Sequence, residues 1–108
     1  MDKKEVFKQF LETNDVLIVD KNPSSRNRLL KTMSDLGSKR HMIHSCGSLI
    51  EAQEFIETKK IGVVLSDYFI TGGSGFDLFK MIREKNPNNK ELCLILFSGF
   101  CDSGLRDI

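Results

Sequence analysis

Three short runs constrain this chain more than anything else in it. Asp15-Val-Leu-Ile-Val-Asp20 and Ile61-Gly-Val-Val-Leu-Ser-Asp67 are apolar on both faces and close on a carboxylate, and Leu92-Cys-Leu-Ile-Leu-Phe-Ser98 closes on a hydroxyl. A strand with one wet face alternates apolar and polar residues, whereas a run that is apolar throughout has to be covered from both sides. Such runs suit strands buried between two helical layers. A weaker run, Arg40-His-Met-Ile-His-Ser45, mixes the two residue types as an edge strand does.

Helix patterns fill the intervals. Asn22-Pro23 offers a capping residue followed by proline at the first helical position, Leu29, Leu30, Met33 and Leu36 mark one face, and Gly37 marks the stop. Ser48 and Glu51 have capping-box spacing ahead of Leu49, Ala52, Phe55 and Ile56. Ser74 can cap a third helix with Leu78, Phe79 and Ile82 on its inner face, closed by Asn86-Pro-Asn-Asn89. Each crossover has room for a helix, so the expected fold is α/β: a doubly wound parallel sheet of about four strands flanked by helices. Ahead of it, within residues 1–13, Val6, Phe7, Phe10 and Leu11 define a short amphipathic helix that either covers the domain at 14–108 or contacts another chain.

Composition narrows the class. A chain of 108 residues builds one core, and its 16 Lys and Arg against 15 Asp and Glu give no electrostatic argument for direct nucleic-acid or membrane binding. The longest apolar run has six residues, Leu92 to Phe97, where a membrane span takes about 20. The first ten residues lack the apolar core of a secretory signal. Cys46, Cys93 and Cys101 are odd in number and form no metal-binding spacing, which suits reduced thiols in the cytosol with Cys93 as a buried filler.

In doubly wound sheets functional groups gather beyond the carboxyl ends of the strands, and Asp20, Asp67 and Ser98 each stand at such an end. Two carboxylates opposite a hydroxyl suit a hard divalent cation or a phosphoryl group, with the aspartate itself a possible nucleophile. Gly99 leaves space beside Ser98. Acidic residues at strand ends also serve simply as solvated loop anchors. Gly72-Gly-Ser-Gly75 has the look of a phosphate-cradling loop but lacks the Lys-Ser/Thr of a P-loop, so it reads as a flexible connection.

In this order and spacing the residues resemble the receiver domain of bacterial two-component response regulators, over roughly 15–108. Val-Leu-Ile-Val-Asp20 resembles the first strand and its acidic end, and Arg26 falls where many receivers carry a basic residue. Leu65-Ser-Asp67 resembles the phosphoacceptor strand. Gly75 and Leu78 match the later part of the D-x-x-M-P-x-x-x-G-x-x-L signature, and Leu96-Phe-Ser98-Gly99 resembles the switch strand. The resemblance implies a flavodoxin-like fold in a cytoplasmic signalling module rather than an ordinary enzyme. Asp67 would accept a phosphoryl group from a histidine kinase or phosphotransfer protein. Asp20, Asp67 and the backbone carbonyl of Phe69 would hold Mg²⁺, Ser98 and Gly99 would form the switch, and a downstream protein would read the state.

Three departures stand out. Ile70 and Thr71 replace the Met-Pro of the signature, which is expected to loosen that loop. Lys21 stands where receivers carry a second acid, so the local charge changes by two units. At about 4 Å, two unit charges interact by about 4 kcal/mol at an effective dielectric near 20, enough to decide metal occupancy. Either the Lys21 ammonium pairs with Asp20 or Asp67 in place of the cation, or it swings into solvent. Lastly, the sequence stops at Ile108, without the family's fifth strand, its lysine or its fifth helix, which leads to an expectation of self-association. The competing function is a degenerate receiver acting as a constitutive interaction or dimerisation module.

Overall fold

The structure, a computed structural model, describes residues 2–85 and 92–97. Helix α1 spans Lys3–Thr13 and begins where the Asp2 carboxylate accepts from the Glu5 amide at 2.8 Å. Strand β1, Asp15–Val19, leads into α2, Pro23–Leu36, whose cap is Asn22 accepting from the amides of Ser24 and Ser25. Proline fits the first turn because its missing donor would have no partner there. Gly37, at φ 126°, ends α2, and the following Ser38 amide donates back to the Met33 carbonyl at 3.0 Å.

The second strand differs from its sequence reading. Arg40–Met42 form a single 3₁₀ turn, and β2 runs Ile43–Cys46, starting three residues later. Arg40 and His41 in that turn are exposed, and only Met42 offers an apolar side chain, half-buried. Helix α3, Leu49–Thr58, starts in the expected capping box: the Glu51 amide donates to Ser48 Oγ, which in turn donates to the Glu51 carboxylate. Strand β3, Ile61–Asp67, is buried at every position. A short hairpin follows, β4 (Phe69–Ile70) and β5 (Gly73–Ser74), then α4, Gly75–Lys85, and β6, Cys93–Phe97.

Strands β2, β1, β3 and β6 pair in that order, all parallel, giving the expected doubly wound four-stranded sheet. Side-chain alternation along β1 splits the core. Leu17 and Val19 join Ala52 of α3 and Leu78 and Ile82 of α4 on one face. Val16 and Ile18 join Met33 of α2 and Leu11 of α1 on the other. Phe7 and Phe10 pack on that second cluster, so the N-terminal helix is part of the sandwich. Leu36 does not reach the core: as the last residue of α2 it stays 41% exposed. The buried thiol is that of Cys46, while Cys93 is only half-buried, and Cys101 lies outside the described residues. Among the described residues no helix is long and apolar enough to cross a membrane.

Candidate functional site

The crossover from β1 to β2 goes to one side of β1, and β3 lies on the other. The chain therefore reverses its winding between β1 and β3, and the crevice above their carboxyl ends is where such sheets bind ligands. Val19 pairs with Ser66, so the next residue on each strand, Asp20 and Asp67, arrives at the same rim. Both are buried, at 1% and 4% exposure. Convergence of these two aspartates is a consequence of register.

Asp20 is held from several directions. Its amide donates to the Cys46 carbonyl at 3.0 Å, Oδ1 accepts from the Asn22 amide at 2.9 Å, and its carbonyl accepts from Arg26 Nη1 at 2.6 Å. Oδ2 is buried and has no hydrogen-bond partner. A buried carboxylate oxygen left unpaired carries a desolvation cost that a cation would offset. That orphaned oxygen fits a hard metal ion.

Around Asp67 the backbone is equally fixed. The Tyr68 amide donates to the Phe97 carbonyl at 2.8 Å, and the Gly75 amide donates to the Tyr68 carbonyl at 2.9 Å. Ser66 Oγ, fully buried, donates to the Asp67 carbonyl at 2.9 Å. Phe69 opens the hairpin with its side chain exposed, beside exposed Tyr68, whose ring meets it edge-on at 4.9 Å. Phe97 pairs with Asp67 in the sheet; Ser98 and Gly99, which follow it in the chain, lie outside the described residues.

The glycine-rich stretch is neither loose nor a phosphate cradle. Ile70 pairs with Gly73 around a tight turn with Gly72 at φ 88°, and Ser74 and Asp77 cap α4 reciprocally, amide to side chain at 3.0 Å in both directions. Nor does Thr71 loosen the loop. Its amide donates to the Gly47 carbonyl at 3.2 Å and its carbonyl accepts from the Leu49 amide at 2.9 Å. Sequence reading missed this connection between remote segments.

Lys21 is exposed. Lys21 takes no part in the ion pairs Lys31–Asp35, His44–Asp15 and Lys85–Glu57, and Asp20 Oδ2 stays unpartnered. Among the described residues no Lys21–Asp20 ion pair forms. Among the described residues no three His, Cys, Asp or Glu side chains gather, so the rim offers two carboxylates plus backbone oxygens. That donor set suits Mg²⁺, which keeps several of its waters, better than Zn²⁺.

No protein-family model matches the sequence, and no curated protein does. Solved structures do. The chain is similar to the MaeR response regulator bound to beryllium trifluoride, with TM-score 0.71 and 19% identity over 88% of this chain and 75% of that one. It is similar to a response regulator receiver protein from Pseudomonas putida, with TM-score 0.60 and 27% identity over 87% and 74%. A third likeness is to the beryllofluoride-activated NtrC4 receiver domain dimer, with TM-score 0.67 and 22% identity over 84% and 70%. The chain has the receiver-domain fold, a flavodoxin-like parallel sheet flanked by helices.

Proposed function

We propose that this receiver-fold chain accepts a phosphoryl group on Asp67 from a histidine kinase or phosphotransfer protein in a two-component relay. The observation that carries the reading is the arrival at one rim, by way of the Val19–Ser66 pair, of a buried Asp67 and a buried Asp20 whose Oδ2 lacks a partner. An Asp67 carboxylate oxygen would attack the phosphorus of a phosphohistidine; the P–O bond forms as the P–N bond breaks, and the imidazole leaves. Asp20, Asp67 and the Phe69 carbonyl would hold Mg²⁺, which when bound neutralises charge on the transferring group. Burial of Asp67 and the hydrogen bonds that fix the peptides around it keep the nucleophile in one place.

The same reading makes the chain a cytoplasmic bacterial signalling module rather than an ordinary enzyme. Its partners are the phosphodonor, a downstream protein and, as in the NtrC4 receiver, a second copy. Ser98 and Gly99 remain the proposed switch. Incubation with acetyl phosphate and Mg²⁺ tests the acceptor: intact mass gains one phosphoryl group in the wild type and none in Asp67→Asn.

Lys21 favours a second reading, a degenerate receiver used as a constitutive interaction module, because it puts a positive charge where a second acid would attract the cation. Absence of phosphorylation, together with no Mg²⁺-dependent beryllofluoride binding, selects that reading.

A further inference from the structure

Two loops carry the oxygen donors of the rim: the turn after β1, starting at Asp20, and the hairpin after β3, starting at Phe69. Strand pairing of β1 with β3 reaches only Val19 and Ser66, so the sheet leaves both loops without a direct link beyond that point. A third loop, Gly47–Ser48 between β2 and α3, supplies one. On one side it grips the hairpin through the bonds of Thr71 to Gly47 and Leu49 and a parallel bridge between Ser48 and Thr71. On the other side it abuts the Asp20 turn. Arg26 Nη1, bonded to the Asp20 carbonyl at 2.6 Å, lies so near Gly47 that a Cβ there would stand 3.0 Å from it and 3.5 Å from that carbonyl.

The hairpin side of this link belongs to the present sequence. Thr71 occupies the proline position of the receiver signature, and proline has no amide hydrogen to donate to Gly47. The departure therefore adds a tether.

We propose that Arg26 and the peptide of Thr71 are positioning residues for the divalent-cation site, acting through Gly47 as a bracket that holds the Phe69 carbonyl in reach of the Asp20 carboxylate. This deepens the receiver reading and rests on it. Mg²⁺ demands near-ideal octahedral geometry, so a donor loop free to wander weakens binding even when every ligand is present. A site that carries Lys21 in place of a second acid depends on such preorganisation more than most.

The test is a Mg²⁺ titration of the full chain followed by fluorescence of Tyr68, the only tyrosine in a protein without tryptophan and the neighbour of Asp67. Arg26→Gln withdraws the guanidinium, and Thr71→Pro removes the donor while keeping the carbonyl. Each is expected to weaken Mg²⁺ about tenfold, the lower end for partners that orient metal ligands. The double variant is expected to be little worse than either single one, because both cut the same bracket. In the metal-free protein, Arg26→Gln is expected to speed hydrogen exchange of the Thr71 amide although the substitution lies on α2. Mg²⁺ affinity unchanged in both variants, additive losses, or Thr71 exchange unmoved by Arg26→Gln overturns the bracket alone. A wild type whose fluorescence and Asp20 and Asp67 resonances ignore Mg²⁺ overturns the receiver reading, and with it the purpose of the bracket.

Discussion

Gly75 lies directly against the peptide of Asp67: a Cβ at position 75 would stand 2.5 Å from the Asp67 carbonyl oxygen. The same atom would meet Leu96 Cδ1 at 2.5 Å and Ser66 Oγ at 2.8 Å. The first turn of α4 thus packs on the end of β3 with no room for a side chain. Because one neighbour is backbone, relief requires moving the acceptor strand or the helix. Gly75→Ala is expected to destabilise the fold by about 1–3 kcal/mol, the cost of overpacking, although alanine is the better helix former. Urea denaturation followed by circular dichroism measures it; an unchanged midpoint would show that the helix start yields freely.

Leu11 makes a parallel argument at the other end of the chain. It is fully buried among Val16, Ile18, Met33 and Val63, whereas Val6, on the same helix, is 53% exposed. Leu11→Ala is expected to cost about 3 kcal/mol, the transfer term plus the cavity left behind. Val6→Ala should change stability by less than about 0.5 kcal/mol. Equal effects of the two would mean that α1 is a detachable arm and not a layer of the sandwich.

What the sequence shows clearly is what local chemistry decides. Asn22, Ser48 and Ser74 mark helix starts because each competes for its own nearby amides, and the three apolar runs declare their double burial without reference to the rest of the chain. From there the meeting of Asp20 and Asp67 follows by topology. Contacts between remote segments are hidden. Nothing near Thr71 announces that its amide reaches Gly47, and nothing near Leu36 says that α2 carries it past the core. Cys46 and Cys93 look alike in sequence, and only the packing of α3 over β2 buries the first.

That burial has a pH consequence. Desolvation, reinforced by the nearby Glu51 carboxylate, raises the Cys46 thiol from 9.0 to about 11, against the opposing hydrogen bond to Ser48 and the charge of Arg26. Since the folded state holds this proton more tightly than the unfolded state, stability is unaffected below about pH 9 and falls as pH rises from there toward 11. At pH 8 the thiolate fraction is about a hundredfold lower than for an ordinary cysteine, so iodoacetamide should label Cys46 only through opening of the fold. Mass mapping of alkylated peptides, with and without urea, checks this; rapid native labelling of Cys46 contradicts it. Cys46→Ser should flatten the loss of stability above pH 9.

Asp20 is expected to trade stability for binding. Its Oδ2 is buried with no partner, and the nearest sequence cation, Lys21, points to solvent rather than to it. Without a cation, that oxygen has no hydrogen bond to offset its burial. An asparagine keeps an oxygen for the Asn22 amide and removes the charge. Asp20→Asn should therefore raise the stability of the metal-free protein by about 1 kcal/mol, in line with the gain commonly found on relieving strain at a functional site. Mg²⁺ should stabilise the wild type in proportion to its saturation and leave Asp20→Asn unmoved. Lys21→Ala should act oppositely, strengthening Mg²⁺ binding severalfold at low ionic strength and less in high salt, because an exposed charge is screened. Thermal melts over a Mg²⁺ series at two salt concentrations separate the three proteins. A wild type that gains no stability from Mg²⁺, or an Asp20→Asn less stable than wild type without metal, would show that the buried oxygen is satisfied in another way.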